Sequence, residues 1–141
     1  MDEATKLKEL KAVLTDPTPP DEMDEAFKNK VAEAFTHLLP TPEEIRQDWG
    51  RMIVDVVTPC GVWARDKQLS KRDRSLVTIS ALTAFNMSNE LKVHINRALD
   101  NGVTREEICE VFMHLAIYSG FPRSVEAMQC AKEVFELRDK G

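Results

Sequence analysis

Apolar positions along the chain recur at intervals of three and four almost from end to end, and no stretch alternates with the period of two that a strand needs. Residues 3–14 place Leu7, Leu10, Val13 and Leu14 on one side of a short helix. Three prolines within Pro17–Pro20 then stop it, since proline cannot continue a helix interior. A second helix is expected from about Asp21 to Leu38, with Met23, Phe27, Val31, Ala34, Phe35 and Leu38 inward, and Pro40 ends it. Thr41-Pro42-Glu43-Glu44 reads as N-cap, N1 proline and first-turn acids of a third helix, which runs to about Val57 and carries Trp49, Met52, Ile53 and Val56. Thr58-Pro59-Cys60-Gly61 breaks the chain again. Ser70 caps a fourth helix, 71–86, whose apolar residues lie nearly all round, the pattern of an element that is central or covered by neighbours or another subunit.

The stretch 88–122 is the most informative. Ser88 is placed to cap a helix from Asn89, and Asn101-Gly102 ends it. Thr104 with Glu107 forms a capping box for the next helix, and Val103 with Ile108 forms its hydrophobic staple. Leu91, Ile95, Ala98 and Leu99 line one helix, and Ile108, Val111, Phe112 and Leu115 line the other. Gly120-Phe121-Pro122 closes this hairpin. A last helix runs from Pro122 to about Arg138, packing through Val125, Met128, Val134, Phe135 and Leu137. The fold class is therefore all-α, built around a central helical hairpin. The organisation expected is an N-terminal helical extension, 1–40, on a domain spanning 41–141, together one globular unit.

Composition narrows the function. The 141 residues are enough to bury a core without covalent staples, and 43% apolar with 30% charged content is ordinary for a globular protein. A net charge of −5 speaks against general nucleic-acid binding. Yet between Arg65 and Arg74 five basic residues face two acids, a local charge of +3 that suits either a small anion or a solvated face. Three cysteines without CxxC spacing suggest reduced thiols. With neither a leader nor a long apolar run in the sequence, no membrane partner is expected, and the cytoplasm is the expected location.

Chemistry-bearing residues gather on the hairpin. Glu90 and His94 share a helix face, with Arg97 one turn further on, and His114 shares a face with Tyr118. Glu90 and His94 also fit a plain solvated pair, His114 fits a hydrogen-bonded packing residue, and Tyr118 fits a structural one.

Gly61-Val62-Trp63-Ala64-Arg65, Arg72-Asp73-Arg74-Ser75-Leu76, Glu90-Leu91-x-x-His94, Asn101 to Ile108 and Tyr118-x-Gly120-x-Pro122 together resemble the carboxymuconolactone decarboxylase family, over roughly Trp49 to Phe135. The resemblance implies an all-helical, alkylhydroperoxidase D-like bundle, assembled as a homo-oligomeric trimer or hexamer with sites near subunit contacts. Peroxidase-type members have a CxxC and a relay glutamate. Here Met87 and Glu90 stand at the cysteine positions and Ser75 at the glutamate position, so a thiol mechanism lacks its attacker and its resolving thiol. The decarboxylase branch matches better.

That branch removes CO2 from 4-carboxymuconolactone through a dienolate that is reprotonated on carbon. The substrate supplies its own electron sink, so no cofactor and no metal are required. The protein must hold a dianion, stabilise the enolate oxygen and deliver a proton. Carried over residue by residue, the resemblance puts Arg65 and Arg74 at the family's Trp-x-Arg and Arg-Ser motifs, where at least one is expected to grip the side-chain carboxylate, with Arg72 a further cation and Trp63 part of a less polar wall around the departing group. His94, oriented by Glu90, is the expected proton donor, its protonated fraction raised by that carboxylate. His114 and Tyr118 are expected donors to the lactone oxygen. Asp66-Lys67-Gln68 replaces the family's Pro-Gly, and Arg123-Ser124 replaces two alanines, which leaves open a related lyase for another lactone or keto acid. A non-catalytic oligomer that binds small anions or a partner protein is the remaining alternative.

Overall fold

The computed structural model describes residues 2–141, with the side chains of Glu3 and Leu7 outside the described set, so the Leu7 packing position lies outside it too. Among the described residues every regular element is helical: α1 (Glu3–Leu14), α2 (Glu25–Leu38), α3 (Arg46–Met52), α4 (Lys71–Ala84), α5 (Ser88–Asp100), α6 (Arg105–Tyr118) and α7 (Phe121–Lys140), with short 3-10 turns between some of them. The chain divides into two compact units, Met1–Asp66 and Lys67–Gly141.

This boundary differs from the expected one at residue 40. The reason is local: α3 belongs with α1 and α2, because Gly50 lets its backbone lie against Ala32, where a Cβ would sit 2.8 Å from the Ala32 carbonyl oxygen. The first unit's core is Leu10, Val13, Val31, Ala34, Phe35 and Val54. The second helix is shorter than its apolar spacing suggests. Pro20–Glu22 forms a separate 3-10 turn, and Asp24 caps α2 by accepting from the Phe27 N–H at 2.8 Å. Pro42 occupies the N-cap position of a 3-10 turn at Glu43–Ile45, while the Thr41 hydroxyl donates to the Leu39 carbonyl instead of capping. α3 runs into a π-helical turn, Ile53–Val57, whose buried residue is Val54, while Trp49, Met52 and Val56 are exposed.

In the second unit the hairpin is α5–α6. Gly102, at φ 95°, makes the turn in a conformation that favours glycine. The capping box is complete: the Glu107 N–H donates to the Thr104 hydroxyl at 3.1 Å, and the Thr104 N–H donates to the Glu107 carboxylate at 3.0 Å. Val103 and Ile108 are buried beside it in a core that includes Ile79, Leu91, Ile95 and Phe112. Ser70 caps α4 as expected, accepting from the Asp73 N–H at 3.0 Å. Ser88 does not cap α5. It lies inside the helix and donates to Glu126 of α7 at 2.6 Å. α4 is not central within the chain. It buries Ser75, Ile79 and Thr83, whereas Val77 is 61% and Phe85 74% exposed. On α7 the buried positions are Ser124, Ala127, Cys130, Ala131 and Val134, with Val125 and Leu137 turned outward.

Candidate active site

α5 packs between α4 and α7 through Leu91, Ile95 and Ala98. This places Glu90, His94 and Arg97 beside the buried stripe, where they follow one another along a shared face at intervals of four and three. Glu90 is exposed, and His94 and Arg97 are half-buried.

Burial is the largest influence on His94. It pushes the imidazole pKa below its ordinary value, the Arg97 charge pushes it further down, and Glu90 pulls the other way without reversing the sum. The expectation that a carboxylate neighbour raises the protonated fraction is thus corrected. Glu90 acts in that direction, but desolvation and Arg97 outweigh it, and His94 is neutral near pH 7. Burial also lowers the pKa of Arg97, offset in part by Asp100.

Arg72 and Arg74 both rise from the first turns of α4. The Arg72 guanidinium donates to the Glu107 carboxylate and is also paired with Asp73. Its pKa is raised, first by the hydrogen bond it donates to Glu107. The residue read as a substrate cation therefore ties α4 to the first turn of α6. Arg74 is half-buried. The next residue, Ser75, is buried and accepts a hydrogen bond from the Asn101 side chain at 3.0 Å. A relay glutamate is thus replaced by a structural contact that closes the α5–α6 turn onto α4.

His114 and Tyr118 stay together, their rings 4.9 Å apart and tilted by 38°. Both are exposed, on the side of α6 away from buried Ile108 and Phe112. Met113, Ile117 and Phe121 are exposed around them, Ile117 at 77%. Trp63 and Arg65 lie in the first unit, Trp63 half-buried in the Val62–Ala64 turn and Arg65 exposed just after it. That unit also holds a cavity of about 400 Å³ lined by Asn29, Glu33, Thr36, Glu43 and Arg46, none of them a residue singled out from the sequence.

Cys60 and Cys130 are ill suited to peroxidase chemistry. Burial pushes up the pKa of Cys130, whose Sγ lies 3.8 Å from the Ser88 carbonyl oxygen, and of Cys60, which packs 3.7 Å from the Met23 sulfur. A thiol with a raised pKa holds little thiolate at neutral pH.

Arg97 received no role from the sequence, although its spacing from His94 was a usable signal. Asn101 was read only as a helix end, and nothing in the sequence marked it as the partner of Ser75.

Comparison with known proteins joins these observations. Residues 59–133 match the model of the carboxymuconolactone decarboxylase family, a span that holds each site candidate from Trp63 to Tyr118. The chain is 43% identical over 75 residues to 4-carboxymuconolactone decarboxylase of Acinetobacter baylyi, covering 53% of this chain and 55% of that protein. It is 38% identical over 81 residues to nitrosuccinic acid decarboxylase of Metarhizium robertsii, covering 57% and 56%. An uncharacterized 15.0 kDa protein of Paracoccus denitrificans is 30% identical over 74 residues, covering 51% and 55%. The matches thus span about half the length of these relatives. With its all-helical architecture, its α5–α6 hairpin and a match over more than half its length, the chain belongs to the carboxymuconolactone decarboxylase family.

Proposed function

We propose that this protein is a carboxy-lyase that needs no cofactor and releases CO2 from an acid able to delocalise the resulting carbanion, with 4-carboxymuconolactone as the first substrate to test. The observation that carries this reading is the family match over 59–133, which holds His94 and the motif arginines but has Met87 and Glu90 at the cysteine positions.

In the lactone, breaking the bond to CO2 leaves an electron pair that flows through the C=C to the lactone carbonyl oxygen. The protein then has three tasks. A guanidinium holds the carboxylate that stays, a cation or donor faces the oxygen where charge develops, and an acid returns a proton to carbon. Arg74, by its place in the matched Arg-Ser motif, is given the part of the cation that faces the oxygen where charge develops. His94 delivers the proton. Because its pKa is depressed in the free protein, it takes up that proton as the dianion binds. The departing carboxylate is best met by an apolar wall, since a cation there would stabilise the ground state. His114 and Tyr118 act as donors only where a second copy covers their exposed apolar surroundings. Those surroundings, Met113, Ile117 and Phe121, favour a homo-oligomer.

Replacing His94 by Ala is expected to lower turnover by about 100- to 1,000-fold with little change in folding, the usual cost of removing one placed donor. Wild-type-like turnover in that variant would remove His94 from the mechanism. A second reading, a lyase for a different acid, is favoured by the 38% identity to nitrosuccinic acid decarboxylase.

A further inference from the structure

Most basic side chains packed into the second unit are already engaged by carboxylates: Arg72 by Glu107, Lys92 by Glu133, Arg105 by Asp139 and Arg138 by Asp100. Arg97 differs. It is half-buried and, among the described residues, makes no ion pair, because Asp100, the nearest acid along the helix, is held by Arg138 at 3.1 Å. A partly desolvated cation that makes no ion pair, with Asp100 acting on it only at a distance, is costly unless something pairs with it, and a guanidinium is suited to a carboxylate. Arg97 stands one turn from His94 on the same face of α5. Around α5, α7 brings Glu126 to Ser88, Glu133 to Lys92 and Arg138 to Asp100. Glu90 completes the charged groups acting on His94 from its own helix.

The acids named in the two decarboxylase relatives share more than a group that leaves. In 4-carboxymuconolactone and in nitrosuccinic acid, the carbon that loses CO2 bears an electron-accepting group and a carboxymethyl arm. Both are succinates substituted on one carbon.

On the decarboxylase reading above, we propose that this site recognises 2-substituted succinates as a class and that Arg97 binds the carboxymethyl arm, leaving Arg74 for the acceptor oxygen. In the reaction the bond between carbon and the departing carboxylate breaks. Its electron pair enters the acceptor, a conjugated lactone carbonyl or a nitro group, CO2 leaves, and one proton returns to carbon. No oxidant or reductant is consumed. Holding the arm and not the departing carboxylate keeps the ground state from being over-stabilised.

The test uses the full chain with propionate, succinate and methylsuccinate, which all carry the arm, and with propionamide, its neutral counterpart; none of them carries an acceptor. Binding is followed through the His94 ring protons by NMR, assigned by their loss in His94→Gln. All three carboxylates are expected to move the His94 signal at concentrations at least about 10-fold below propionamide, the factor expected from one charge-assisted pair. Arg97→Met abolishes that preference, and Arg97→Lys, which keeps the charge, recovers part of it. In turnover Arg97→Met raises KM by about 10- to 100-fold and changes kcat less. Equal response to succinate and propionamide in the wild type overturns the inference, as does undiminished succinate binding by Arg97→Met. CO2 release from either relative's acid without a carboxylate response at His94 removes Arg97 and keeps the lyase reading. An Arg97-dependent response to succinate without CO2 release from either acid keeps the succinate site and removes the lyase.

Discussion

His94 lies between two opposite charges of its own helix, Glu90 four residues before it and Arg97 three after, and burial decides the balance. The consequences have a definite sign. If His94 is the acid, kcat/KM falls as pH rises through a pKa below about 6.5, the ordinary histidine value. A profile that rises across the same range would assign His94 to the base form. Stability moves the other way. Because the folded pKa is depressed, the unfolded chain binds more protons in this window, and the wild type loses stability as pH falls from about 6.5 through the folded pKa. Denaturant titrations at several pH values should show that loss in the wild type and not in His94→Gln. At this scale the sequence was partly legible. Spacing put Glu90, His94 and Arg97 on one face, but the sign of the pKa shift depends on desolvation, which no spacing reports. Arg72 shows the same limit: its motif marks a cation, and only the fold reveals that Glu107 already engages it.

Among the elements, the α5–α6 hairpin was the most legible, because its turn and cap are local. Gly102 and the Thr104–Glu107 box depend on residues within a few positions of one another, and both are present as read. Thr104→Ala should cost about 1 kcal/mol in urea unfolding, the usual cost of losing a capping side chain. A cost near zero would mean that the turn is held by Val103 and Ile108 alone. Elements set by tertiary contact were less legible. Ser88 has a capping side chain, yet Glu126 on α7 takes its hydroxyl, and α4 is apolar all round although only one side of it is covered by its own unit. The position of α3 was missed for a related reason: the Gly50 approach to Ala32 joins residues 18 apart, beyond any periodic pattern.

For the molecule as a whole, the exposed apolar side chains of α6 and α7 are the feature that a lone chain leaves unexplained. Met113, Ile117, Tyr118 and Phe121 cluster about one turn, with Tyr118 74% exposed. Self-association would cover them, and the same face carries His114. Light scattering should give a mass of several chains for the wild type, and Ile117→Glu should shift it toward one chain without loss of helical signal. A wild-type mass of a single chain would detach His114 and Tyr118 from the site. No helix among the described residues is long and apolar enough to cross a membrane.

The claim beneath all of this is that a substrate with its own electron sink loses CO2 here under the control of one half-buried imidazole. CO2 release by the purified, metal-free chain, measured side by side with 4-carboxymuconolactone and nitrosuccinic acid for wild type and His94→Ala, tests it most directly. The account predicts release from at least one acid by the wild type and a rate lower by about 100-fold or more in the variant. No release from either acid, or equal release by both proteins, would contradict it.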